Sequence, residues 1–124
     1  KVDEKYYVTD HGFRQARGFS NTKDIERTLE NIVYIELSSR GYQVEIGKVQ
    51  DREIDFIARK DQYISYYQVA YMLPDEQTRE REFGVYKLIA DNFPKYVLSM
   101  DRFDFSRDGI IHKNIIDFLL EREH

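Results

Sequence analysis

Residues 51–71, DREIDFIARKDQYISYYQVAY, constrain the fold more than any other stretch. Ile54, Phe56 and Ala58 alternate with Asp55, Ile57 and Arg59, the period of a strand with two unlike faces. Lys60-Asp61-Gln62 interrupts the run with turn chemistry. Residues 63–71 follow, rich in Tyr, Val and Ile, which fit a pleated surface. Two strands joined by a tight polar turn are therefore expected. Asp55 falls mid-strand among apolar residues, where an unpaired carboxylate is costly. Gln68 and Ala70 are two residues apart on the second strand, so their side chains share a face.

The rest of the chain supplies what such a hairpin packs against. Asn21 or Thr22 is placed to cap a helix, with Asp24 favourable in its first turn. That helix is expected to run to about Arg40 and stop at Gly41. Ile25, Leu29, Ile32, Val33 and Leu37 form its apolar stripe. Glu36 falls within the stripe and Glu30 at its edge, so Glu36 needs a partner: a salt bridge to Arg or Lys, or a bound group. The alternative for Glu30 is a plain surface acid. Residues 42–46 read as a strand and 47–50 as a hairpin turn into 52–59. Pro74 ends the third strand of this meander, and Asp75 caps a second helix expected over 76–91. Gly84 within it costs roughly 1 kcal/mol against Ala and implies close packing. Residues 95–100 form another strand, Asp108-Gly109 a turn, 109–112 a short strand and 114–120 a terminal helix. Upstream, residues 5–9 read as a lead-in strand. Residues 11–23 carry Arg14, Arg17 and Lys23 without an acid, which reads as a solvated loop or a small contact patch.

Composition narrows the class of protein. At 124 residues the chain is one domain, with residues 1–22 as lead-in strand and loop. No apolar run approaches the ~18 residues of a membrane span, and no signal peptide is visible. There are no cysteines, which removes disulfides and thiolate metal sites. The net charge of −4 argues against a sequence-blind DNA coat while leaving room for a local basic groove. His11, His112 and His124 have no ligand spacing. A cytoplasmic location is expected.

The element order is αβββαβ with a small extension and a terminal helix. LENIVYIELSSRGYQVEIG, EIDFIA, YYQVAYML and TREREFGVYKLIADNFPKYVLSMD, in that order, resemble a domain of unknown function at the C-terminal end of a family of bacterial and archaeal AAA-type ATPases. The resemblance covers about residues 5–120. That family looks like PD-(D/E)XK nucleases, close to archaeal Holliday-junction resolvases in the first helix. It implies an α/β, restriction-endonuclease-like fold with an αβββαβ core and a mixed central sheet flanked by helices. It also implies an ATPase domain in the same chain upstream, and nucleic acid as a partner.

Nucleases of this clan use a helix Glu, a strand Asp and a strand Glu-x-Lys pair, with the carboxylates holding Mg²⁺. The resemblance carries these onto Glu30, with Glu36 as a second candidate, and onto Asp55. Gln68 stands where the strand Glu belongs and Ala70 where the Lys belongs. The implied metal ligands are thus Asp55, Gln68 and Glu30, one charge short. Losing a preorganised cation such as the Lys costs on the order of 10²- to 10³-fold in rate. Replacement cations would have to come from Arg79, Arg81 or Lys87. Three functions follow: a catalytically degenerate module that binds nucleic acid or a partner, an active Mg²⁺-dependent nuclease with a rearranged pocket, or a structural domain.

Overall fold

A computed structural model describes residues 22–121. The expected strand at residues 5–9 and most of the basic segment at 11–23 lie outside the described residues. Helix α1 (Thr22–Ser39) begins with Asp24 in its first turn. It ends where expected: Gly41 adopts φ +94°, the Gly41 amide donates to the Ser38 carbonyl (3.0 Å) and the Tyr42 amide to the Leu37 carbonyl (3.1 Å). Those two bonds define a Schellman cap, which only a left-handed residue closes without strain. Val33 and Leu37 form the inward face of α1, while Ile32, expected in the same stripe, is 37% exposed.

Strands β1 (Gln43–Val49), β2 (Arg52–Lys60) and β3 (Tyr63–Val69) form an antiparallel meander. Its turns are both two residues long, Gln50-Asp51 and Asp61-Gln62, with Gln50 and Asp61 at φ 57°. The first turn lies later than the sequence predicts, because β1 continues through Gly47 to Val49. Helix α2 (Glu76–Gly84) is capped by Asp75, whose carboxylate accepts from the Thr78 amide. The helix expected over 76–91 is shorter than that. At Gly84 it tightens into a 3-10 turn (Val85–Leu88), and Ile89 is already extended. Val85 and Tyr86 are both buried at this point, and the Tyr86 hydroxyl donates to the Tyr96 carbonyl (2.7 Å). Docking these two side chains outweighs continuation of a helix through a weak helix former. Strand β4 (Lys95–Ser99) pairs parallel to β3, and β5 (Ile111–Asn114) parallel to β4. The last strand thus falls two residues later than expected. Asn114 then caps the short helix α3 (Ile115–Leu119).

The result is a mixed α/β fold, a five-stranded mixed sheet in the order β1-β2-β3-β4-β5 flanked by helices, compatible with an αβββαβ core. One face carries a core of Val33, Leu37, Phe56, Ala58, Val69 and Phe118 with their neighbours. The other carries Ile54, Ala70, Phe83, Val85, Tyr86 and Val97. Arg40 ties the end of α1 to α3. Its side chain is only 9% exposed, with Nε donating to Glu36 (2.8 Å), one terminal nitrogen to Glu121 (3.2 Å) and the other to the Phe118 carbonyl (2.6 Å). The guanidinium also stacks over the Phe118 ring. No helix among the described residues is long and apolar enough to cross a membrane.

The period-2 reading of β2 needs one correction. Glu45 pairs with Ile57 and Gly47 with Ile54, so Asp55 and Phe56 together oppose the single residue Ile46. This is a β-bulge, which flips the alternation. Ile54 therefore packs on the α2 side of the sheet and Phe56 on the α1 side. Gly47 lies opposite the bulge. A Cβ there would meet Ile57 Cδ1 at 2.5 Å and Cγ1 at 2.8 Å, with the Ile54 Cβ at 3.3 Å. Gly47→Ala is expected to lower the unfolding free energy by about 1–3 kcal/mol, through overpacking rather than backbone strain. Urea denaturation of the variant checks this, and a loss under about 0.5 kcal/mol would show that Ile57 yields freely.

Candidate functional site

The bulge opens the sheet at the residue that sequence singles out. The β2–β3 ladder runs from Lys60–Tyr63 to Phe56–Tyr67 and stops there. Beyond it, two side chains take over from the main chain. The Asp55 amide donates to Gln68 Oε1 (2.8 Å), and the Val69 amide donates to Asp55 Oδ2 (2.8 Å). Asp55 and Gln68 thus close the splay between the strands, satisfying amides that the interrupted ladder would leave unpaired. Gln68 is buried at 6% exposure, and its amide nitrogen reaches Glu82 Oε1 on α2 at 3.5 Å.

Glu82 is the residue that sequence reasoning passed over. It reads as part of a solvated, charge-rich helix start, yet its side chain is 16% exposed. Burial pushes its carboxyl up to about 7; Glu26 and Glu30 push the same way, against Arg81 and Arg52. Only a partial signal was available: Glu82 stands three residues before Val85 and four before Tyr86, which turn out to be core residues. Glu26 was also passed over. Its carboxylate accepts from the Tyr71 amide (3.1 Å), just past the end of β3. Glu30 lies within electrostatic reach of Glu82, on the same side as Glu26. Burial raises the Tyr86 phenol far above the ordinary tyrosine range, and the fields of Asp55 and Glu82 add to this.

The other candidates stand elsewhere. Glu36 is paired with Arg40 at the far end of α1. Arg79 donates from Nε to the Leu73 carbonyl (3.0 Å) and stacks over the Phe105 ring at 4.2 Å. Arg81 is 62% exposed and 3.9 Å from Glu82, and Lys87 pairs with Glu80 at 2.9 Å. Ala70 is 1% exposed within the α2-side core. It shares the sheet face of Gln68, as the spacing predicts, but that face is packed at Ala70.

The magnesium ion that the resemblance implies would draw on Asp55, Gln68 and Glu30, and two of these donors already accept from main-chain amides. A Mg²⁺ site needs carboxylate oxygens convergent on one point with near-octahedral freedom. Here Asp55 Oδ2 and Gln68 Oε1 are both turned onto main-chain amides. Among the described residues, no three His, Asp or Glu side chains come together in a way that would hold a metal ion.

A second buried polar cluster joins β4 to β5. Ser99 Oγ stands 2.7 Å from His112 Nε2 and donates to Asp101 Oδ2 (2.9 Å). These residue types suit nucleophilic catalysis, but Ser99 has no exposed surface and its proton goes to the aspartate rather than to the histidine. The cluster is a structural tie: Asp101 Oδ2 also accepts from the Leu73 amide (2.8 Å).

No protein-family model matches the chain. A protein of Haemophilus influenzae, described only as an uncharacterized protein, is 38% identical over 122 residues. The match takes in 98% of this chain, which spans about 30% of the length of that relative.

Proposed function

We propose that the chain is a nuclease-fold module that binds rather than cuts, acting at the C-terminal end of a cytoplasmic AAA-type ATPase as a docking unit. The observation that carries this reading is the commitment of Asp55 and Gln68 to each other's strands. The two groups that would face a scissile phosphate instead hold the sheet together. Ala70 supports the same reading, since the position of the activating lysine lies in the core. The length of the Haemophilus relative supports a module within a longer protein. Charge favours a protein partner over nucleic acid: Glu26, Glu30 and Glu82 surround the splay, and the net charge is −4. Phosphate backbones are drawn to the opposite field.

The test is cleavage of linear and branched duplex DNA with Mg²⁺ or Mn²⁺, for the native chain and for Asp55→Ala. Neither is expected to cut. Asp55→Ala is expected to cost about 1–3 kcal/mol of stability, because the Val69 amide loses its acceptor. Robust metal-dependent cleavage abolished by Asp55→Ala would overturn the proposal. One observation favours a second reading, an active nuclease with a rearranged pocket. Glu82 carries a carboxyl to the edge of Gln68, where the missing strand Glu would reach. Under that reading Glu82→Ala abolishes cleavage as fully as Asp55→Ala.

A further inference from the structure

His112 is buried at 6% exposure, and each of its ring nitrogens has a defined partner. The Phe105 amide donates to Nδ1 (3.3 Å), so Nδ1 carries no proton. Nε2–H then donates to Ser99 Oγ, which also accepts from the Asp101 amide (3.1 Å) and passes its own proton to Asp101 Oδ2. A hydroxyl has one proton and two lone pairs, so this wiring fills it completely. The main chain of His112 is tied to the same loop, its amide donating to Ser106 Oγ (2.8 Å). A neutral ring is thus one tie of the loop between β4 and β5, beside Asn114 Nδ2 on the Met100 and Asp101 carbonyls and the Arg107–Ile110 backbone pair.

A proton on Nδ1 turns its acceptor into a donor facing another donor, the Phe105 amide. Burial opposes the charged form, while the carboxylates of Asp101 and Asp104 and the Phe103 carbonyl favour it. We propose that His112 is a proton-operated latch on the loop between β4 and β5. Neutral, the ring holds the Phe105 amide; protonated, it repels that donor and frees this part of the loop. An acceptor that becomes a donor on titration is the kind of element pH sensors use.

The loop carries more than its own backbone. Phe105 packs at a tilt against Phe103 (5.0 Å between centroids, 55° between planes), and Phe103 is already 69% exposed. Arg79, which holds the Leu73 carbonyl beyond β3, lies over the other partner of that pair, Phe105. Release therefore presents an aromatic pair at one end of the sheet and loosens the segment between β3 and α2. The charges facing His112 set where the latch trips. Asp101 and Asp104 on the loop favour the proton, while burial opposes it and leaves the ring below the ordinary histidine range. Two ion pairs, Arg102–Asp117 and Lys113–Glu121, line the same cleft of about 370 Å³. Arg79 adds a positive charge behind Phe105.

Amide hydrogen exchange by NMR tests the latch. In the native chain, protection of the Phe105 amide, corrected for intrinsic rate, is expected to fall roughly tenfold or more between about pH 7.5 and about pH 5, while the β1–β2 amides keep theirs. His112→Asn places a carbonyl oxygen near Nδ1 and cannot titrate, so its Phe105 protection is expected to stay flat. Constant protection in the native chain, or the same fall in His112→Asn, overturns the proposal. Should His112→Asn fail to fold, the ring ¹⁵N shifts of the native chain decide. A ring carrying its proton on Nε2 at about pH 7.5, and gaining the second in step with the loss of Phe105 protection, is the expected result. A ring protonated on Nδ1 at that pH, or a titration out of step with the amide, overturns it.

Discussion

Glu82→Gln is expected to make the protein more stable, by roughly 2–3 kcal/mol above about pH 8. A buried acid whose carboxyl titrates near 7 instead of 4.5 holds its proton more tightly in the folded chain than in the unfolded one. Between those two values the folded state binds more protons, so its stability falls as pH rises. The contribution of neutral Glu82 is complete below about 4.5 and is lost as pH climbs through about 7. Gln keeps the shape and still offers Gln68 an acceptor, but it has no charge to desolvate. The difference between variant and native chain is therefore near zero at about pH 4.5, widens through neutrality and levels off above it. Urea denaturation across that range measures it. A difference independent of pH would mean that Glu82 meets water in the folded state.

Arg40→Ala acts in the opposite direction, with an expected loss of about 2–4 kcal/mol. The guanidinium makes three charge-assisted bonds and stacks on Phe118, and its removal leaves Glu36, Glu121 and the Phe118 carbonyl to find water. Both carboxylates are about a third exposed or less, which keeps the loss below that of a fully buried pair. Arg40→Lys is expected to recover less than half, because an ammonium cannot fork between two acids and a carbonyl. Burial of the arginine also makes the loss insensitive to salt. Denaturation at about 0.1 M and about 1 M salt separates this from a surface pair, whose contribution would fade.

Sequence periodicity reached the meander and both helices that flank it, and it placed Asp55 and Gln68 on neighbouring strands; that the two would bond each other's main chain was not read. It reached them because apolar alternation and helix-ending glycine are local signals that packing reinforces. The bulge at Asp55-Phe56 was hidden because it breaks the very period used to find the strand. Ile54, Phe56 and Ala58 read as one face until the pairing with β1 shows the register shift between Glu45 and Gly47. Glu82 was hidden for a different reason. Arg79, Glu80, Arg81 and Glu82 form an unbroken charged run, and which of the four turns inward depends on where the helix tightens after Gly84. The tie between Glu36 and an arginine was readable as one of two alternatives. That the arginine would be Arg40, shared with Glu121 eighty-one residues on, was not.

Among the described residues, each strand of the sheet lies beside its chain neighbour. Assembly can therefore proceed as a zipper. The two hairpins close over turns of two residues each, at small loss of chain freedom, before the longer connections bring β4 and β5 alongside. The early half of the sheet holds the acid and amide that bridge the β2–β3 gap, and the late half holds the buried serine and imidazole. The last seam, β4–β5, thus carries the Ser99–His112 tie in addition to its ladder bonds, whereas the β2–β3 seam has side chains in place of them.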